Sequence, residues 1–184
     1  MDLSELNEIL EACKRGERLA QRQLYEKYKG RMFALCLRYA DNREDAEDML
    51  QEGFVQIFKD LHQYRMLGSL EGWMRKVVLN VALQYIRKQK RHPQTATLEH
   101  WEDAAYVEGE EDDSLFSEDM IKTVLHFIQK MPPGFRAVIN LYIVEGYTHE
   151  NIAQTLGISV GTSKSQLSRA KVYLKKMLEK SLAG

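Results

Sequence analysis

The sequence predicts an all-α protein: two small helical domains joined by an acidic flexible linker, the second domain carrying a helix-turn-helix. Three observations predict it. Apolar residues recur at three- and four-residue intervals over both flanks of the chain, with no strand pattern and no repeat of 20 to 50 residues. Between those flanks, residues 92–120 hold 10 Asp and Glu and no Lys or Arg. Near the end, GYTHENIAQTLGISVGTSKSQLSRAKVYLKK, from Gly146 to Lys176, reads as two helices about a tight turn.

The totals bound the rest. With 184 residues, 44% of them apolar, the chain has enough material for one large or two small cores. The net charge of −1 hides a segregation: residues 1–91 carry 17 Lys and Arg against 14 Asp and Glu, and residues 121–184 carry 9 against 3. Phosphate attraction is screened within about 10 Å at 0.1 M salt, so two basic blocks count for more than the mean. No run of 18 apolar residues and no signal peptide is visible, which predicts a cytoplasmic protein with no membrane insertion. Cys13 and Cys36, without a CxxC, argue against a disulfide frame or a zinc site. His62, His92, His100, His126 and His149 are scattered, and no Gly-rich phosphate loop or Ser/His/Asp arrangement occurs. The expectation is no enzyme, no catalytic residue, no metal and no cofactor.

In chain order, the stretch from Asp2 to Tyr39 predicts helix with a break near Gly16. Asp41 or Asn42 then caps a helix whose buried stripe is Ala46, Leu50, Phe54, Ile57, Phe58 and Leu61. Its other face carries Glu44, Asp45, Glu47, Asp48, Gln51 and Glu52. Acids in a first helical turn favour the dipole by about 0.3 to 1 kcal/mol each, but Asp48 and Glu52 lie too deep for that. After a loop over His62–Ser69, a helix from about Leu70 to Lys90 buries Met74, Val77, Val78, Val81, Tyr85 and Ile86. A second face aligns Trp73, Lys76, Asn80, Gln84 and Arg87. An aromatic beside a positive track is how proteins hold single-stranded nucleic acid, although a lone Trp is more often core.

Pro93 closes this block, and the periodicity fails until Ser117, which predicts an extended linker. From Glu118 a helix carries Ile121, Val124, Leu125 and Ile128, and Pro132-Pro133 ends it and opens another through Val144. Thr148 caps the next helix, Gly157 supplies a left-handed stop, and Ser159 caps the last. That last helix, from about Val160 to Met177, turns Val160, Leu167, Ala170, Leu174 and Met177 inward. Ser163, Lys164, Ser165, Gln166, Ser168, Arg169 and Lys171 are left to face outward. In a helix-turn-helix the second helix lies in the major groove, and a polar, basic outer face suits DNA.

Three stretches together resemble the extracytoplasmic-function sigma factors, the smallest group of bacterial RNA polymerase promoter-specificity subunits. They are DAEDMLQEGFVQIF (Asp45 to Phe58), GSLEGWMRKVVLNVALQYIRK (Gly68 to Lys88) and MPPGFRAVINLYIVEGYTHENIAQTLGISVGTSKSQLSRA (Met131 to Ala170). The GSLEGW and GTSKSQLSRA spellings further resemble members common in Bacteroidetes-type bacteria. The resemblance implies a sigma region 2 domain over residues 1–91, a linker over 92–117 and a region 4 domain over 118–184.

The resemblance also implies roles. Asp45, Asp48, Gln51 and Glu52 would dock on a coiled coil of core RNA polymerase. Tyr64, Arg65, Ser69, Trp73, Lys76, Asn80, Arg87 and Lys88 would hold the unpaired minus-10 strand of promoter DNA. Thr148, Thr162, Ser163, Lys164, Ser165, Gln166 and Arg169 would meet the minus-35 element, with Arg or Lys on guanine and Gln on adenine. In many members an anti-sigma factor is a further partner. The acidic linker would run through the RNA-exit path. Departures from the family pattern are Asn151 where Glu is common, Gln84 where Asp is common, and Met66-Leu67 in the loop. The alternative is a helix-turn-helix regulator that binds duplex DNA without polymerase; residues 1–91 show no β/α alternation of the kind a receiver domain needs.

Overall fold

A computed structural model of the chain describes residues 3–91 and 118–182, and among these residues the regular elements are all helical. The stretch expected to be a linker, residues 92–117, lies outside the described residues. The N-terminal helices are α1 (Leu3–Lys14), α2 (Arg18–Tyr39), α3 (Arg43–Asp60) and α4 (Leu70–Arg91), with a 3-10 turn at Leu61–Gln63. The C-terminal helices are α5 (Glu118–Gln129), α6 (Pro133–Ile139), α7 (His149–Leu156) and α8 (Val160–Leu182). A wider π turn, Asn140–Val144, continues α6.

The sequence places each boundary by a local device. Gly16 at φ +81° ends α1, and Glu17 N–H donates to the Ala12 carbonyl at 3.0 Å, a six-to-one closure that fits a glycine stop. Asn42 rather than Asp41 caps α3, its Oδ1 accepting from Asp45 N–H at 2.7 Å. Ser69 Oγ accepts from Gly72 N–H at 3.1 Å near the start of α4.

In the N-terminal domain α2, α3 and α4 pack on one another and α1 lies along α2. Met32, Leu35, Cys36, Ile57, Met74, Val78 and Ile86 are all 0% exposed in the core. Gly53 lets α3 and α4 close up: a Cβ there would sit 3.0 Å from Val78 Cγ2. The buried stripe of α4 is wider than expected, adding Leu79, Ala82 and Leu83 while Val77 and Tyr85 are half-buried. The reason is that α4 packs against α2, α3 and α6, so more of its circumference is covered. Both cysteines are buried and free, and burial is the leading cause that pushes the Cys13 thiol up to about 11.

In the C-terminal domain α6 packs on α8, and α7 packs on α8 as the helix-turn-helix requires. The stripe expected on α5 is only half-buried; Phe127 and Met131 are the buried residues there. The shift follows from α5 lying between α2 and α8, so that it shares its apolar surface between two neighbours.

The two domains touch through a seam that joins their apolar cores and carries a polar network at its centre. The last carbonyls of any helix lack intrahelical partners. Those of α2 take theirs from the other domain: Gln129 Nε2 donates to Leu37 O at 3.0 Å, Asn140 Nδ2 to Arg38 O at 2.9 Å, and Arg136 Nη1 to Tyr39 O at 3.0 Å. Arg136, with 2% of its side chain exposed, also pairs with Asp41 and holds the Gln129 and Met131 carbonyls. Glu145, directly after the π turn, meets Arg75 at 3.0 Å and Arg38 at 3.4 Å.

Candidate nucleic-acid interface

Three surfaces carry the predicted residues. On α3, Asp48, Gln51 and Glu52 are exposed at helical spacing and form one stripe. Asp45 stands apart from them, half-buried against α4; burial is the main cause that raises its carboxyl above the usual range, opposed by a hydrogen bond with Tyr85. Val55, 67% exposed, continues the stripe one turn further. Its apolar side chain gave no signal in a sequence search for charges.

On α4 and the loop before it, Lys76, Asn80 and Lys88 are exposed, as is Arg65 in the loop. Trp73 is half-buried, and its ring lies 5.6 Å from that of Tyr64 at 41°. The Tyr64 hydroxyl donates to Gly68 O at 2.6 Å, which closes the loop. Within it Met66 takes φ +57°, a conformation that costs a non-glycine residue about 1 to 3 kcal/mol, and Leu67 stands 89% exposed. Ser69 caps α4 and is still exposed, but Arg87 is engaged, its guanidinium donating to the Thr155 carbonyl of α7.

In the helix-turn-helix every local expectation about the turn is met. Thr148 Oγ1 accepts from Asn151 N–H at 3.2 Å, and Gly157 takes φ +63°. Ser159 Oγ accepts from Thr162 N–H at 3.0 Å, and the two hydroxyls lie 2.8 Å apart. Glu150, which cannot close a full capping box, still has its carboxyl held below the usual range by its own backbone N–H first and by Thr148 second.

The outward face of α8 is narrower than expected. Lys164, Ser165, Ser168, Arg169 and Lys171 are exposed, and Ser165 Oγ donates to Thr162 O at 3.0 Å. Ser163 corrects the expectation: it is 0% exposed, its Oγ 2.9 Å from His149 Nδ1. The physical reason is the helical period, since a residue four before inward Leu167 and seven before inward Ala170 shares their face. Gln166 is half-buried with Oε1 unpartnered, packed against Gly134. His149 in turn stacks on Tyr142, ring centroids 4.8 Å apart at 25°, so α7, α8 and the π turn are keyed together by a contact that no sequence motif announced.

Among the described residues no cluster of three or more His, Cys, Asp or Glu is placed to hold a metal ion, and no helix is long and apolar enough to cross a membrane. What the arrangement offers is an acidic exposed stripe, a helix with an aromatic, amide and cationic face, and a helix-turn-helix with outward cations.

That combination defines a sigma-70-type transcription initiation factor: residues 24–92 match sigma-70 region 2 and residues 121–174 match sigma-70 region 4. An extracytoplasmic-function (ECF) RNA polymerase sigma factor, SigE of Mycolicibacterium smegmatis, is 30% identical over 86% of this chain, which spans 61% of that relative's length. The RNA polymerase sigma-H factor of Pseudomonas aeruginosa is 26% identical over 94% of this chain and 93% of its own. The chain belongs to the sigma-70 family. Its fold is also that of the sigma factor RpoE in a co-crystal with the anti-sigma factor NepR from Bartonella quintana, with a TM-score of 0.53, 20% identity, and coverage of 86% of this chain and 96% of that one.

Proposed function

We propose that this chain is a sigma factor of the extracytoplasmic-function group, which binds core RNA polymerase and directs promoter-specific transcription initiation by a two-point grip. The observation that carries the reading is the pairing, in one chain and in order, of the region 2 match over 24–92 with the region 4 match over 121–174. In the proposed division, residues 1–91 bind polymerase and the minus-10 element, 92–117 tether, and 118–184 read the minus-35 element. Asp48, Gln51 and Glu52 dock on the polymerase, where complementary charge favours association rate and register more than raw affinity. Asp45 contributes less, being turned toward Tyr85.

Tyr64, Arg65, Ser69, Trp73, Lys76, Asn80, Arg87 and Lys88 hold the separated minus-10 strand. Extruding a base costs a few kcal/mol, which this surface offsets by stacking and phosphate contacts. Lys164, Ser165 and Arg169, with Thr148 and Thr162 toward the backbone, meet the minus-35 duplex. Gln166 reads a base only by leaving its packing against Gly134. The chemistry of nucleotide addition belongs to the polymerase, so this chain is no enzyme. The reading places it in the cytoplasm, with an anti-sigma factor as a further partner. The GSLEGW and GTSKSQLSRA spellings support a Bacteroidetes-like member.

The test is run-off transcription with core polymerase on a pool of genomic fragments. Discrete start sites that require the chain support the reading, and specific duplex binding with no effect on core enzyme overturns it. On a promoter so identified, Lys164→Ala or Arg169→Ala should weaken minus-35 binding by about 1 to 3 kcal/mol. Unchanged footprints for both variants would remove them from the grip.

A further inference from the structure

Gln166 on α8 holds its side chain where neither the fold nor solvent satisfies it. The residue as a whole is half-buried, yet its Oε1 is fully buried and has no hydrogen-bond partner. All three atoms of the amide crowd Gly134 on α6: a Cβ there would stand 3.2 Å from Nε2, 3.4 Å from Oε1 and 3.5 Å from Cδ. The backbone does not ask for glycine at this position, because the glycines with positive φ are Gly16, Gly146 and Gly157. A glycine inside a helix weakens it relative to alanine, so what Gly134 provides is room for Gln166.

We propose that Gly134 is a specificity-determining residue of the minus-35 contact: it forms a seat that holds Gln166 back, and Gln166 leaves the seat only for a base that supplies a hydrogen-bond donor, adenine before cytosine. The proposal rests on the minus-35 reading given above and names the base that one position of it selects.

The seat is fixed and its occupant is mobile. Pro132 and Pro133 set the start of α6, where Pro132 O accepts from Phe135 N–H at 2.9 Å and from Arg136 N–H at 3.0 Å. Arg136 is itself buried, and α6 packs along α8, so the core holds the seat and the Gln166 backbone at a constant separation. The Gln166 side chain, by contrast, turns about several single bonds. It stands four residues after Thr162 and three before Arg169, at the boundary between the buried row of Ser163, Leu167 and Ala170 and the exposed face. From that boundary a change of rotamer carries the amide from α6 to the groove side.

The unpartnered oxygen decides which base draws it out. In the major groove adenine offers its N6 amino group as a donor to Oε1 and N7 as an acceptor for Nε2. Cytosine offers the N4 donor alone, while guanine and thymine present only acceptors and would leave Oε1 as bare as the seat does. Undocking loses little, because the seat gives the amide packing against a bare backbone while its oxygen goes unpaired. Opposite guanine or thymine the amide stays seated.

The experiment uses holoenzyme reconstituted from core polymerase and the full chain, on a promoter taken from the run-off pool. Each minus-35 position is replaced in turn by all four bases and affinity is read by competition. At one position the wild type should prefer adenine over guanine or thymine by roughly five- to tenfold, with cytosine between. Gln166→Ala should abolish that preference and leave the other positions as they were. Gln166→Leu, which keeps bulk against the seat without the amide, should lose it in the same way. Gly134→Ala fills the seat and drives the amide out. If the outward rotamer holds about a fifth of the free population, this variant should bind the adenine promoter up to about fivefold more tightly. In the Gln166→Ala background Gly134→Ala should have no effect, a coupling that a purely structural role for Gly134 would not produce.

An adenine preference that survives Gln166→Ala overturns the proposal, as does a Gly134→Ala effect that is absent or is equal with and without Gln166. If Lys164→Ala and Arg169→Ala also leave minus-35 binding unchanged, the minus-35 reading itself falls and takes the seat with it. If those two variants weaken binding while Gln166→Ala alters no base preference, the seat alone falls.

Discussion

The core of the N-terminal domain and the seam between the domains are both largely shielded from water and belong to one apolar cluster, yet the seam alone adds a buried polar network to it. Inside α2, α3 and α4 the buried side chains are overwhelmingly apolar, from Met32 to Ile86. At the seam the buried groups include Arg136 and Asn140, with Glu145 at 10% side-chain exposure and four polar atoms left unpartnered. Each unpartnered atom costs on the order of 1 to 3 kcal/mol, and buried ion pairs seldom repay their desolvation. The difference separates a scaffold from a fastening: apolar burial fixes the domain, while at the seam the polar network laid over the apolar contacts specifies one docking geometry and adds little strength of its own.

The sharpest way to break that comparison is to make a hole in the scaffold. Met74, 0% exposed on α4, faces the centre of the N-terminal domain. Met74→Ala should lower stability by about 2 to 5 kcal/mol, read from the midpoint of chemical denaturation. A smaller seam effect is expected from Asn140→Ala, which strips the amide from Arg38 O and Arg136 O. We expect a loss of about 1 to 2 kcal/mol. We also expect this variant to unfold in two transitions, and the wild type in one, as the domains lose their coupling. If Asn140→Ala cost as much as Met74→Ala and unfolding stayed in one step, the seam would belong to the scaffold.

The sequence made most of the fold legible because its signals are local. Gly16, Asn42, Thr148, Gly157 and Ser159 each act through a backbone group within five residues, so spelling alone reports them. The exposed stripe of Asp48, Gln51 and Glu52 was legible for the same reason, since helical spacing settles which residues share a face. The seam was not legible. Arg75 and Glu145 are 70 residues apart, and Arg136 and Tyr39 are 97 apart, and no local pattern distinguishes a cation that will cross between domains from one that will meet solvent. The narrowing of α5's stripe was hidden likewise, because it depends on which neighbours arrive to cover it.

Ser163 shows a failure of a different kind and supplies the smallest effect. Its position was open to reading, since inward Leu167 and Ala170 place residue 163 on their face, but a hydroxyl near the start of a recognition helix resembles a base contact. The structure spends that hydroxyl on His149 Nδ1 at 2.9 Å, and His149 stacks on Tyr142 of the π turn. Ser163→Ala leaves a part-buried imidazole nitrogen without its partner and should cost about 1 kcal/mol of stability. It should leave minus-35 affinity near wild type at temperatures where the domain stays folded. Lys164→Ala, one residue on and fully on the outer face, should do the reverse, lowering affinity with stability unchanged. Melting curves and duplex titrations on the two variants decide the matter: if Ser163→Ala loses affinity at unchanged stability, Ser163 belongs to the base-reading face and the inward assignment of this turn of α8 is wrong.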